Sequence, residues 1–248
     1  MKIVLIGGSG LIGKKLAPLL RDQGCEVVVA SPSTGVNAVT GDGLADVVRG
    51  AEVVVDVSNS PSFADDPVMN FFTTSTRHIL DAEKKAGVCH HVALSVVGAD
   101  RLKGSGYMRA KVAQESLIQS GGVPYTVLRA TQFFEFLAAI ADGGTTGPVA
   151  HLSTAPFQPV AAADVAAALA DIAMAAPVNG IIELAGPESM PLAKFIERFL
   201  TLKGDPRTVI ASPEANYFGA ILDNRGLGPG DNPRLGSISL ADWFRGMS

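Results

Sequence analysis

The chain has 248 residues, 47% hydrophobic and 18% charged, with a formal net charge of −4 at pH 7. That length suits one large α/β domain or a domain with a small appendage, and the apolar content excludes a disordered chain. The mildly acidic balance, with no Lys/Arg cluster, leaves no electrostatic footprint for nucleic acid.

The first apolar run, Ile3-Val4-Leu5-Ile6, has the pattern of a strand buried on both faces. It breaks into Gly7-Gly8-Ser9-Gly10 and then into a helical pattern from Leu11 that stops at Gly24. Gly7, Gly10 and Gly13 have GxxGxxG spacing. Glycines let a backbone approach phosphates closely, and a helix N-terminus offers unpaired N–H groups. Gly7, Ser9, Gly10, Leu11, Ile12 and Gly13 are therefore the expected contacts to a dinucleotide pyrophosphate.

Glu26 to Ala30 is a second strand, followed by Ser31-Pro32-Ser33-Thr34. An acid there would select NAD through its ribose hydroxyls and repel a 2′-phosphate; an Arg would attract one. The hydroxyls of Ser31 and Ser33 can donate to a phosphate and nothing repels it, so NADP is favoured over NAD. Val36 to Thr40 has the composition of a short third strand, leading into Gly41-Asp42-Gly43, where Asp42 either accepts from the adenine amino group or forms the turn. A short helix over Leu44 to Arg49 precedes a strand over Val53 to Val57. Its carboxyl end presents Ser58 and Asn59, where open α/β sheets bind ligands.

A long helix is expected over Pro67 to Lys85 and a strand over Val88 to Val97, with Ser95 near its end. The next helix, about Tyr107 to Gln119, carries Tyr107-Met108-Arg109-Ala110-Lys111, a YxxxK. Residues four apart share a helix face, so an ammonium at Lys111 would favour tyrosinate and lower the phenol pKa toward working pH. Tyr107 could then exchange a proton with a substrate oxygen that Ser95 holds. After the strand over Tyr125 to Arg129 the rhythm loosens. Helices are expected over Phe133 to Ala141, Ala162 to Ala175 and Leu192 to Leu202, and a strand over Ile181 to Leu184.

Strands alternating with helices in this way predict an α/β fold, a Rossmann-type doubly wound parallel sheet. Residues 1–130 form the nucleotide-binding core, and 131–248 a small C-terminal substrate-side region packed on it. Phe133, Phe134 and Phe136 fit core and apolar pocket lining equally well. Arg129 is expected to be an ion-pair partner and Asp164 a helix N-terminal acid. Cys25 and Cys89 open apolar runs as buried structural thiols. His90 and His91 face opposite ways on a strand, so no metal site is expected. The first strand begins at Lys2, leaving no room for a signal peptide, and no apolar run approaches ~18 residues, so the protein is expected to be cytoplasmic and off the membrane.

These residues resemble the short-chain dehydrogenase/reductases, specifically the atypical branch that includes NmrA-like proteins. The resemblance covers nearly the whole chain. It rests on GGSGLIG, TGDGL, DVSNSPSF, HHVALSVVGAD, GYMRAKVAQE, PYTVLRATQFFEF, QPVAAADVAAAL and ELAGPE, and is strongest to bacterial NAD(P)-binding oxidoreductases. It implies a catalytic triad of Ser95, Tyr107 and Lys111, with Lys111 also at the nicotinamide ribose. The basic residue many NADPH-using relatives carry after the second strand is absent. The resemblance implies hydride transfer to or from a carbonyl or enone of an apolar or aromatic small molecule, by a monomer or homodimer. It also leaves two alternatives, a redox sensor and an aromatic-polyketide tailoring enzyme.

Overall fold

The computed structural model describes residues 1–246; the last two residues of the 131–248 region lie outside them. Seven parallel strands form the central sheet: β1 (Lys2–Ile6), β2 (Glu26–Ala30), β3 (Val53–Asp56), β4 (His90–Val96), β5 (Tyr125–Ala130), β6 (Gly180–Ala185) and β7 (Arg234–Leu235). Their order is β7-β6-β5-β4-β3-β1-β2. Because β1 pairs with β2 on one side and β3 on the other, the order reverses at β1. That opens a crevice at the carboxyl ends of β1 and β3.

Helices cover both faces. α1 (Leu11–Asp22) and α6 (Ala162–Met174) pack together on one, and α3 (Asp65–Ala86) and α4 (Gly106–Ser120) on the other. Ile3 and Leu5 point into the α1/α6 layer, while Val4 and Ile6 join the opposite cluster around Ile79. From Ile3 to Ile6 the strand is apolar because both faces are covered. α3 begins two residues before the expected Pro67, with Asp65 and Asp66 in its first turn and Lys84 and Lys85 in its last, each charge opposing the helix dipole.

The chain beyond 131 returns to the sheet through β6 and β7 and also builds a small C-terminal subdomain. There, α5 (Leu137–Gly143), α7 (Leu192–Lys203) and α8 (Leu240–Arg245) surround Phe134, Phe157 and Phe195. Phe134 stacks on Phe195 with centroids 5.9 Å apart, and Phe157 meets Phe195 edge-on at 5.6 Å. Full burial of such rings contributes about 2–3 kcal/mol each. Asp164 ties the last segment down by accepting from the Ser237 hydroxyl and the Ile238 N–H.

Two expectations are corrected. Val36 to Thr40 forms no strand; only an antiparallel bridge joins Asn37 to Asp42. The Asn37 carboxamide oxygen accepts from the N–H groups of Val39 and Thr40, curling the chain where a strand needs it extended. α2 (Leu44–Val47) follows directly. Cys89 is exposed while Cys25 is buried, because Cys89 lies in the turn before β4. No described helix is long and apolar enough to cross a membrane.

Candidate functional site

At the end of β1 the chain turns through Gly7 at φ +75°, a left-handed conformation that favours glycine. A Cβ on Gly7 would lie 2.6 Å from the Ser58 Cα, and one on Gly13 would lie 2.3 Å from the Gly8 Cα. The glycines therefore bring the loop against β3 and α1 against the loop. Gly10 caps α1 with no side-chain bond and no acid in the first turn. Lys14 N–H donates to the Gly10 carbonyl at 3.0 Å. Helix geometry leaves the N–H groups of Leu11, Ile12 and Gly13 facing the loop without intrahelical acceptors. Ser9 and Leu11 stand at the exposed rim.

Ser58 Oγ is buried and has no hydrogen-bond partner among the described residues, although its backbone N–H donates to Asp56 Oδ1 at 2.9 Å. Asn59 beside it is exposed. A cradle that a Cβ would fill, a helix N-terminus free of acids and an orphaned hydroxyl together fit the phosphates and ribose of a dinucleotide.

At the end of β2, the Ser31 and Ser33 hydroxyls lie 2.9 Å apart. Pro32 and Thr34 complete a segment with no charged side chain. The Asp42 carboxylate accepts from the Thr40 hydroxyl at 2.6 Å, a local bond that fits the turn-forming reading.

Tyr107 lies in the first turn of α4, at the carboxyl edge of the sheet, and Lys111 one turn further along. The Tyr107 ring packs 5.5 Å from Phe63 and 5.9 Å from Phe72. Lys111 is buried, with Nζ 4.3 Å from the Phe72 ring centroid. It donates to the Leu94 carbonyl at 2.8 Å and to Gln114 Oε1. Gln114 Nε2 in turn donates to Asp56 Oδ2 at 3.0 Å. A buried polar chain thus runs from Lys111 through Gln114 and Asp56 to the Ser58 backbone beside the cradle.

The expected activation of the phenol is corrected. Burial pushes Tyr107 up to about 12. Burial also lowers Lys111 to about 8, against the pull of the Asp56 and Glu115 carboxylates. Lys111 shares the helix face, but its ammonium is turned inward to Leu94 and Gln114.

Ser95 is engaged within the protein. Its hydroxyl donates to Glu115 Oε1 at 2.6 Å, and no hydrogen bond links it to Tyr107 or Lys111 among the described residues. Ser95 pairs in register with Arg129, and strand alternation aims both at α4 two turns beyond Tyr107. There Arg129 donates to Glu115 through Nε at 2.9 Å and Nη2 at 2.7 Å, and to Asp100 through Nη1 at 3.0 Å. Arg129 is the expected ion-pair partner.

The adjacent histidines do face opposite ways. His91 Nδ1 meets Glu83 Oε1 at 2.7 Å, and His90 Nε2 meets Thr126 Oγ1 at 2.9 Å. Burial lowers His90 to about 4. Burial also opposes charge on His91, but the Glu83 carboxylate outweighs it and raises that imidazole. The three phenylalanines divide: Phe134 is core, whereas Phe133 stacks on Phe136, which is half exposed.

Sequence reasoning missed Asp56, Gln114 and Glu115. A signal existed: Asp56 is the lone charge ending an apolar run, and Gln114 and Glu115 follow Lys111 at helical spacing.

The chain matches the model of a family described as NAD(P)H-binding over residues 7–176. It is 22% identical to the Photosystem II assembly factor Ycf39 of Cyanophora paradoxa over 151 residues, 55% of this chain and 47% of that protein. The match thus spans about half the length of that curated relative. Among solved structures, MoeE5 in complex with UDP-glucose and NAD superposes with a TM-score of 0.77 at 15% identity, covering 99% of this chain and 96% of that one. The dTDP-4-dehydrorhamnose reductase of Bacillus anthracis in complex with NADP gives a TM-score of 0.70 at 14% identity, covering 85% and 84%. At these identities the likeness to the solved structures is one of fold.

Proposed function

Because the chain belongs to the NAD(P)H-binding family, with an atypical short-chain dehydrogenase-like Rossmann fold, we propose that it is an NAD(P)-dependent oxidoreductase acting on a carbonyl or enone of an apolar or aromatic small molecule. One observation carries this reading. Tyr107, with a hydroxyl that no described residue engages, stands at the carboxyl edge one turn from Lys111, and the Lys111–Gln114–Asp56 chain ties that helix to the cradle.

The nicotinamide, when bound, supplies or accepts the hydride. Tyr107 donates the proton to the substrate oxygen in the reductive direction. A phenol pushed up to about 12 by burial stays in the protonated form a donor needs at neutral pH, although the same burial makes it a weaker acid. Phe63 and Phe72 flank it with apolar surface that suits an aromatic or alicyclic substrate. Lys111, its ammonium turned inward to the Leu94 carbonyl and Gln114, anchors the helix one turn below the phenol. Ser95, engaged by Glu115, is a structural residue in this reading. The uncharged, hydroxyl-bearing end of β2 supports NADP over NAD.

Tyr107→Phe tests the assignment. Turnover of NADPH against a carbonyl panel should fall at least about a hundredfold, with the Kd for NADPH unchanged. Full turnover in the variant would remove Tyr107 from the chemistry.

A second reading, a nucleotide-dependent redox sensor, is favoured by the engagement of the Ser95 hydroxyl by Glu115. It calls for binding of both redox forms, no turnover across the panel and capture of a specific protein partner.

A further inference from the structure

We infer that the side-chain amide of Gln132 binds a primary carboxamide, the one carried by the nicotinamide ring of the dinucleotide; the inference rests on the NAD(P) reading above. Gln132 leaves β5 at its carboxyl end. Its main chain is fixed, since its carbonyl accepts from Val160 N–H at 2.8 Å and Phe133 bridges to Val160. Yet both Oε1 and Nε2 are buried without a hydrogen-bond partner among the described residues.

The surrounding polar groups behave differently. The Thr131 hydroxyl donates to the Gln158 carbonyl at 2.7 Å, and the Gln158 amide donates to the Gly186 carbonyl at 2.8 Å. Folded proteins pair their buried amides, so one left open at both ends marks the place of a group from outside the chain. A planar amide presents a donor and an acceptor side by side, and the complement with both is another amide.

The position agrees with the chemistry. The glycine cradle meets β3 at Ser58, and Gln132 lies at the same edge of the sheet, two strands away across β4, about 10 Å at ordinary strand spacing. A dinucleotide bound at the point where strand order reverses lies along these carboxyl ends. Its pyrophosphate at the cradle leaves the nicotinamide half on the β4–β5 side, because the adenine half takes the β2 side. Gln132 thus reads the end of the cofactor that the glycine loop does not touch.

The test uses three probes on the intact protein: NADP, its 3-acetylpyridine analogue, in which a methyl replaces the carboxamide nitrogen, and ADP-ribose, which lacks both the pyridine and the 2′-phosphate and reports the pyrophosphate cradle alone. The parent should bind NADP about tenfold more tightly than the analogue, which keeps the carbonyl acceptor but leaves the buried Gln132 Oε1 without a donor. Gln132→Leu should bind the two equally, with ADP-ribose binding unchanged. If that variant loses ADP-ribose binding by misfolding, the unbranched Gln132→Met carries the same expectation. A variant that binds ADP-ribose normally and keeps the parent's preference for NADP overturns the carboxamide assignment alone. Failure of the folded parent to bind any of the three overturns the dinucleotide reading and the inference with it.

Discussion

Ser95 Oγ donates to Glu115 Oε1 at 2.6 Å, in a carboxylate that Arg129 grips through two nitrogens. The serine completes a buried ion cluster between β4, β5 and α4 instead of facing Tyr107. A buried carboxylate needs its lone pairs satisfied, and the hydroxyl supplies the donor that Arg129 does not.

Ser95→Ala should therefore lower stability by about 1 kcal/mol, the net contribution of one hydrogen bond, and leave turnover within a few-fold of the parent. Glu115→Ala should cost about 3–5 kcal/mol, because it strips the Arg129 guanidinium of its main counter-charge. Urea unfolding measures both. A hundredfold loss of turnover in Ser95→Ala at unchanged stability would return the serine to the reacting oxygen.

Gly7 and Gly24 separate backbone strain from collision. Both have positive φ, +75° and +80°, but a Cβ on Gly24 meets nothing within 4 Å while one on Gly7 meets the Ser58 backbone. Gly24→Ala should cost about 1 kcal/mol, from the left-handed conformation alone, with NADPH binding intact. Gly7→Ala should abolish binding in a fluorescence titration and lower Tm further.

Lys111 gives a pH signature. Its folded pKa is lowered to about 8 from 10.5, so between those values the unfolded chain binds a proton that the native protein does not. Stability contributed by this site therefore rises with pH across that window. Below pH 8 both states are protonated and the full burial penalty, on the order of 3 kcal/mol, is present. In Lys111→Met the difference in unfolding free energy from the parent should shrink steadily from pH 8 to 10.5. A constant difference would show that the ammonium is not penalised by burial.

Ser33→Asp places a carboxylate where only hydroxyls now stand at the end of β2. Repulsion of a 2′-phosphate should weaken NADPH binding by about tenfold or more, leaving NADH binding equal or tighter. A parent that already prefers NADH would overturn the NADP assignment.

The two thiols should differ in reactivity. Cys89 is exposed and Cys25 buried, its Sγ 3.4 Å from Met174 Sδ. A colorimetric thiol reagent should modify Cys89 rapidly in the native protein and Cys25 only on unfolding.

Local patterns determined much of this protein. The strand, glycine turn and helix from Ile3 to Leu20, the alternation of strands and helices, and the shared face of Tyr107 and Lys111 all depend on neighbours within a few residues. Periodicity and glycine spacing record such relations directly. The tertiary structure decided which groups meet across elements. The Ser95 hydroxyl faces Glu115 because the β4–β5 register sets it beside Arg129. Lys111 turns inward because Gln114 and Asp56 wait there, and the phenol is pushed up by burial among rings from a distant loop and helix. Asn37 curled a segment whose composition suited a strand. Such outcomes depend on register, on facing side chains and on water excluded by packing, none of which a residue's sequence neighbours contain.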